Sequence, residues 1–250
     1  MSSRPWAEYY NEKAKTVDEL AATYESEIPY RSAFYGERFE RTLDLLAPAS
    51  GERILEVGCG SGYHSRAIVE RGAALTAIDV AERYVEQAAS YAGGGATFAV
   101  ADAERLPFPE ASFDKVLMAE VLEHLPNPEA ALGEVHRVLR TQGLLVLTTP
   151  SRYSPLNLAY ALKRRVRRYR VNEHLHEWTP GGLSRLVAEQ FELTRLEFAN
   201  YLMPYPIDLL YVRLGSPGAS ALPRIDRALA GTPVLRRLGW TMLVSAQRRS

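Results

Sequence analysis

The feature that most constrains this chain is a short apolar run ending in a cluster of glycines. Arg53-Ile54-Leu55-Glu56-Val57 runs directly into Gly58-Cys59-Gly60-Ser61-Gly62. The run reads as a strand, and residues 63–71 behind the glycines read as a helix. Glycine enters left-handed backbone without steric cost, so such a loop can turn sharply and let a ligand approach bare backbone. The helix N-terminus that follows offers free N–H groups and a partial positive charge at the same place. The same arrangement also serves as a plain structural turn, so the rest of the chain has to decide between the two.

The alternation continues downstream. Residues 74–78 read as a second strand ending at Asp79, and a helix over about 81–91 stops at Gly93-Gly94-Gly95. A third strand over 97–100 leads into Ala101-Asp102, and a fourth over 113–118 leads to Glu120. Helices are expected at about 120–124 and 128–139, then a fifth strand over 144–149, opened by Gly143 and stopped by Pro150. Residues 6–46 read as two helical stretches split by Ile28-Pro29. Residues 180–190 read as a helix, and 191–202 and 239–247 as two final strands. Strand alternating with helix predicts an α/β fold. The expected form is a doubly wound, Rossmann-like, mostly parallel sheet of seven strands with right-handed crossovers. N-terminal helices and a helical lid insertion complete it.

Length and composition agree with one folded domain, or one domain with a lid. At 250 residues, 46% hydrophobic and 24% charged, the chain can bury a core, which excludes wholesale disorder. Its one cysteine, Cys59, excludes an internal disulfide and a cysteine-rich zinc site. Residues 1–11 lack the apolar core of a signal peptide. No stretch approaches the roughly 18 uncharged apolar residues of a membrane span. A cytoplasmic protein is expected, with peripheral contact to a membrane left open. The net charge of zero is a cancellation. Residues 1–150 hold 14 basic and 23 acidic side chains, a net of −9; residues 151–250 hold 16 and 7, a net of +9.

In a doubly wound sheet, ligands bind beyond the carboxyl ends of the strands. Three carboxylates stand at such ends. Asp79 follows Gly60 by 19 positions, where an acidic side chain can accept both hydroxyl hydrogens of a ribose. Asp102 can reach an adenine amino group, and Glu120 closes the fourth strand. Any one of them could be a helix cap; three at one rim are harder to explain that way. A dinucleotide fingerprint would need glycine at the position of Tyr63, so the G-x-G-x-G spacing counts against NAD.

These residues resemble the ordered motifs of class I S-adenosylmethionine-dependent methyltransferases. Ile54 to Gly62 looks like the family's first motif, and Asp79 matches the acidic end of the second. Ala101-Asp102-Ala103-Glu104-Arg105-Leu106-Pro107-Phe108 is similar to the adenine-side motif. Glu120-Val121-Leu122-Glu123-His124-Leu125 and Arg140-Thr141-Gln142-Gly143-Leu144-Leu145 match later ones. The match covers about 50–150 and, loosely, the final strands. It is nearest to the small-molecule subgroup similar to ubiquinone and menaquinone pathway enzymes.

The resemblance implies a helical N-terminal lid over 1–46, a cofactor-binding core over 47–150, and acceptor-side insertions with the final strands of the same domain over 151–250. It implies that Gly58, Gly60 and Gly62 line the methionine and ribose portion of the cofactor, with Glu56 supporting the loop and the methionine ammonium. Asp79 would hold the ribose, Asp102 and Ala103 the adenine, and Glu120 would lie by the methionine end. S-adenosylhomocysteine would be the product. The expected partner is a small-molecule acceptor, most readily a hydroxyl of an aromatic, quinone-like or lipid-like compound. N- or C-methylation and non-catalytic cofactor binding remain the alternatives. No nucleic-acid module is expected, and the protein would be a monomer or homodimer.

An acceptor hydroxyl needs a base, and histidine suits that role near neutral pH. His124, His176 and His174 are the candidates, with His64 and His136 weaker. Glu120, Glu123 and His124 form E-x-x-E-H, which on a helix would share one face. This resembles a divalent-metal pattern of ubiquinone O-methyltransferases; a metal is left open and not favoured. Lys163-Arg164-Arg165-Val166-Arg167-Arg168-Tyr169-Arg170 follows an apolar, aromatic stretch, so 155–170 reads as a candidate contact with an anionic membrane surface. It reads equally as a solvated arginine-rich face. Tyr9, Tyr10, Tyr24, Tyr30 and Tyr35 are expected to cover the site from the N-terminal side.

Overall fold

The computed structural model describes residues 4–16, 29–154, 174–201, 228–229, 231–232 and 235–249. In chain order these form α1 (Arg4–Thr16), α2 (Pro29–Leu46), β1 (Arg53–Val57), α3 (Tyr63–Glu70), β2 (Ala74–Asp79), α4 (Glu82–Ala92) and β3 (Ala96–Val100). They continue with β4 (Phe113–Ala119), a 3-10 turn (Leu122–His124), α5 (Pro128–Val138), β5 (Leu139–Pro150), α6 (Pro180–Ala188) and β6 (Phe191–Ala199). A second 3-10 turn (Leu235–Arg237) precedes β7 (Thr241–Arg248).

The seven strands make one sheet in the order β3-β2-β1-β4-β5-β7-β6. β1 pairs in parallel with β2 on one side and β4 on the other. The winding therefore reverses between β1 and β4, which opens a crevice at their carboxyl ends. β7 inserts antiparallel between β5 and β6. Helices cover both sheet faces, so most side chains of the central strands are apolar and buried, Glu56 and Asp114 being charged exceptions. On one face Leu55, Val57, Val116, Met118, Leu145 and Leu147 pack with Leu132 and Val135 of α5. On the other Ile54, Leu75, Leu117 and Val146 pack with Leu43 and Leu46 of α2 and Ile68 of α3. Each such fully buried aliphatic side chain contributes about 1.5–3 kcal/mol.

Polar residues set the helix ends around the site. The Asn127 side chain accepts from the Ala130 N–H, with Pro128 in the first turn of α5. Thr179 and Pro180 do the same for α6. The Asn11 side chain accepts from the Arg83 N–H at 3.0 Å and Gln87 donates to the Ala14 carbonyl at 3.2 Å, so α1 lies on α4. Arg41 of α2 donates to the Phe198 carbonyl at 2.7 Å, and Asn200 to the Phe34 carbonyl at 2.8 Å.

Two expectations change. The helix foreseen over 120–124 is only the three-residue turn Leu122–His124. Glu120 has left-handed backbone (φ 57°), and Pro126 stands two residues after His124, so a full helical turn has no room. β5 begins at Leu139, where it pairs with Phe113, not at residue 144. The lid insertion, the membrane-contact stretch 155–170 with its basic run 163–170, and Tyr24 lie outside the described residues. Among the described residues no helix is long and apolar enough to cross a membrane.

Candidate active site

The glycine loop closes on the end of β2. The Gly58 and Cys59 N–H groups both donate to the Ile78 carbonyl, at 2.8 and 3.0 Å. Gly58, Gly60 and Gly62 all have positive φ. A Cβ on Gly58 would stand 2.4 Å from Val121 Cγ2, and one on Gly62 would stand 2.7 Å from Ala88 Cα. Only glycine fits at these two positions without something moving.

Asp79 faces this loop. Its Oδ2 accepts from the Gly60 N–H at 3.1 Å and its Oδ1 from the Ala81 N–H at 2.9 Å, so the carboxylate is fixed in direction. Glu56, under the loop, is 2% exposed, and its Oε2 accepts from the Ser65 hydroxyl at 2.5 Å. Burial raises its carboxyl to about 8, against the lowering by Ser65. Burial likewise pushes the Cys59 thiol far up, so this cysteine is inert as a nucleophile. Asp102 opens a tight turn whose Glu104 N–H donates to Asp102 Oδ1 at 2.9 Å.

Glu120 is held in its left-handed conformation by its N–H, which donates to the Thr148 carbonyl at 3.0 Å. Its Oε2 pairs with Arg38 of α2 at 2.9 Å. Its Oε1 is buried and meets no hydrogen-bond partner among the described residues. Strained backbone and an unsatisfied buried acceptor at one residue mark a functional position. Glu123 is 1% exposed. Its Oε2 accepts from the Thr149 hydroxyl at 2.9 Å, while its buried Oε1 has no hydrogen-bond partner among the described residues. Burial, then the neighbouring Glu120 charge, holds the Glu123 carboxyl well above the ordinary carboxylate range.

A cavity of about 480 Å³, a size suited to a small-molecule ligand, opens beside these residues; Glu56 and Gly62, both expected at the cofactor, do not line it and act only beneath and behind the loop. Gly58, Gly60, Asp79, Asp102, Ala103 and Glu120 line it, and so do Trp6, Tyr10, His124, Leu125, Pro126 and His174. The His124 and His174 rings meet edge to face at 5.0 Å, and Tyr10 approaches His124 at 5.9 Å.

The candidate histidines separate. His124 and His174 line the cavity. His176 does not: its Nε2 lies 3.0 Å from the Leu125 carbonyl and its ring stacks on Trp178. His64 also lines the cavity, but burial, with Arg38 adding to it, lowers it to about 3, so it stays neutral. His136 packs against Phe191, away from the site.

The E-x-x-E-H residues do not share a helix face, because Glu120 precedes the turn and points to Arg38. Ligand atoms of Glu123, His124 and His174 instead lie within 4.8 Å of one another. Arg38, Lys13 and Trp6, all lining the cavity, carry no sequence signal; they reach it only through the packing of α1 and α2.

Comparison with known proteins places this architecture. A family described as Methyltransferase domain matches residues 55–147. A ubiquinone biosynthesis O-methyltransferase of Xanthomonas axonopodis pv. citri is 33% identical over 172 residues, 65% of this chain and 71% of that protein. Its counterpart in Caulobacter vibrioides is 36% identical over 132 residues, 50% of this chain and 52% of that one. The chain spans about half the length of most of the curated relatives it matches. Among solved structures, the [4+2]-cyclase SpnF superposes with a TM-score of 0.71 over 100% of this chain and 97% of that one, at 19% identity, a likeness of fold alone. With its motifs at the carboxyl rim of one sheet and a relative matched over most of its length, the chain belongs to the class I S-adenosylmethionine-dependent methyltransferases.

Proposed function

We propose that this protein binds S-adenosylmethionine in the 480 Å³ cavity and methylates a hydroxyl of a small aromatic, quinone-like or lipid-like acceptor. The observation that carries the reading is one cavity lined together by the glycine loop, the strand-end carboxylates Asp79, Asp102 and Glu120, and the side chains of Trp6, Tyr10, His124 and His174. The residues fit the cofactor. Asp79, already oriented by two backbone N–H groups, holds the ribose hydroxyls. Asp102 and the Ala103 backbone hold the adenine. Glu120 Oε1, the buried acceptor without a hydrogen-bond partner, suits the methionine ammonium, and Arg38 suits the carboxylate. The bare backbone of Gly58 and Gly60 lets the ligand approach closely.

Bound S-adenosylmethionine supplies an electrophilic sulfonium methyl that needs no further activation. The protein's work is to hold an acceptor oxygen in line and to keep water out. Trp6, Tyr10, Leu125 and Pro126 offer an acceptor aromatic and apolar surface within the cavity. His124 takes the proton of the acceptor hydroxyl, and Glu123, 3.9 Å from His124 Nε2, stands beside the imidazolium this creates. The reading does without a divalent cation; if one enters, Glu123, His124 and His174 are the set whose geometry suits it.

The test is a screen of hydroxylated aromatics, quinone precursors and fatty-acyl acids for S-adenosylhomocysteine release. His124→Gln should lower kcat about 10²–10⁴-fold and leave cofactor affinity alone. Methylation of a nitrogen or carbon acceptor instead, with His124→Gln harmless, would replace the O-methylation reading. Cofactor binding without turnover of any acceptor would favour a non-catalytic binding protein. The basic run 163–170, downstream of an apolar stretch, supports a peripheral contact with anionic lipid. Vesicles rich in anionic lipid should co-sediment the protein, and neutralising Arg164, Arg165, Arg167 and Arg168 should release it.

A further inference from the structure

The turn after β3 is fixed at both ends, and its far end is held by two side chains that do not line the cavity. At the near end the Ala101 N–H donates to the Asp79 carbonyl at 3.0 Å. Within the turn the Glu104 N–H donates to Asp102 Oδ1 at 2.9 Å, and the Arg105 N–H to the Asp102 carbonyl at 3.1 Å. At the far end the Leu106 N–H donates to Glu134 Oε2 at 2.7 Å. Arg137 Nη2 donates to the Leu106 carbonyl at 2.9 Å, and its Nη1 to the Phe108 carbonyl at 2.6 Å. The two α5 residues are themselves joined by a forked pair, Nε to Oε1 at 2.9 Å and Nη2 to Oε2 at 2.8 Å. The Arg137 hydrogen bond holds the Glu134 carboxyl below the usual carboxylate range.

We infer that the Glu134–Arg137 pair positions the Asp102–Ala103 edge and so sets the selectivity of the site for an adenine over a hypoxanthine base. This rests on the reading that Asp102 and Ala103 hold the cofactor's base. An adenine offers Asp102 an amino donor and offers the Ala103 N–H a ring acceptor. Hypoxanthine presents a carbonyl oxygen and a ring N–H at those two places, so each contact becomes a clash of like groups. A rigid edge cannot relax to relieve the clash, and a site built around such hydrogen bonds rejects the mismatched ligand strongly. Ala103 and Leu106 are buried, so the turn has little freedom while both ends are tied. Untying the far end loosens the turn as a unit while Asp102 keeps its bonds within it, so the edge can shift, which weakens the matched ligand and spares the mismatched one. Glu134 and Arg137 are positioning residues that act through Asp102.

The experiment compares calorimetric affinities for S-adenosylhomocysteine and S-inosylhomocysteine in the full chain. The wild type should prefer the adenine ligand by at least about 100-fold. In Arg137→Gln that preference should fall by about tenfold, through loss of affinity for the adenine ligand. Glu134→Gln keeps an acceptor for the Leu106 N–H while losing its charge, and should fall between; Arg137→Lys should recover part of the preference. An equal weakening of both ligands, or an unchanged preference, in a variant that melts cooperatively would overturn the inference. Where Arg137→Gln does not fold, Glu134→Gln decides on the same criterion. A wild type that binds neither ligand would overturn the cofactor reading beneath it.

Discussion

Replacing Gly58 by alanine probes the glycine loop at its tightest point. Gly58 has φ 74°, where a side chain costs about 1–2 kcal/mol of backbone strain. The new methyl would also stand 2.4 Å from Val121 Cγ2, and overpacking of this kind costs about 1–3 kcal/mol. Together the loss is about 2–5 kcal/mol, or roughly 4–20 °C in Tm for a domain of this size. The two costs separate in a double-mutant cycle, since Val121→Ala opens the space but leaves the strain. Gly58→Ala/Val121→Ala should therefore show a favourable coupling of about 1–3 kcal/mol and keep a residual loss. Val121 sits between Glu120 and the turn carrying His124, so the single substitution should also weaken S-adenosylhomocysteine binding. Urea denaturation with and without that ligand measures all three quantities. If Gly58→Ala unfolds within about 0.5 kcal/mol of the wild type, or if Val121→Ala recovers nothing, the close-approach argument is wrong.

Two groups at this site should tilt the dependence of stability on pH in opposite directions. The Glu56 carboxyl is raised from 4.5 to about 8, so its contribution is complete below 4.5 and lost as pH climbs through 8; Glu56→Gln should flatten that arm of the urea-midpoint curve. The His64 ring is lowered from 6.5 to about 3, so its contribution is complete above 6.5 and lost as pH falls toward 3; His64→Gln should flatten the acid arm. Arg38→Met should weaken S-adenosylhomocysteine binding about 10- to 100-fold by calorimetry, and a change under twofold would remove Arg38 from the site. Exhaustive chelation should leave methyl transfer within about twofold, as expected where the methyl donor needs no Lewis acid; activity lost to chelation and restored by magnesium or zinc would contradict this.

The parts legible in the sequence are those set by local pattern. Val57 into Gly58, Ile78 into Asp79 and Val100 through Asp102 are strand ends that their own periodicity and glycines announce, and the sheet brings Asp79, Asp102 and Glu120 to one cavity. Arg38 was invisible because only the packing of α2 brings it to Glu120, far along the chain. The helix expected at 120–124 failed because a single left-handed residue, Glu120, overrides the helical spacing of Glu120, Glu123 and His124. His176 carries the same chemistry as His174 two residues earlier, yet its contact with the Leu125 carbonyl turns it into a structural hydrogen bond. No pattern within residues 174–178 separates the two.

The central claim, that the crevice at the ends of β1 and β4 is a cofactor site, is tested most directly by titrating the protein with S-adenosylmethionine in a calorimeter. The account predicts saturable binding of one cofactor per chain, lost or weakened at least about 100-fold in Asp79→Ala. Absence of binding in the wild type, or equal binding in wild type and Asp79→Ala, would contradict it.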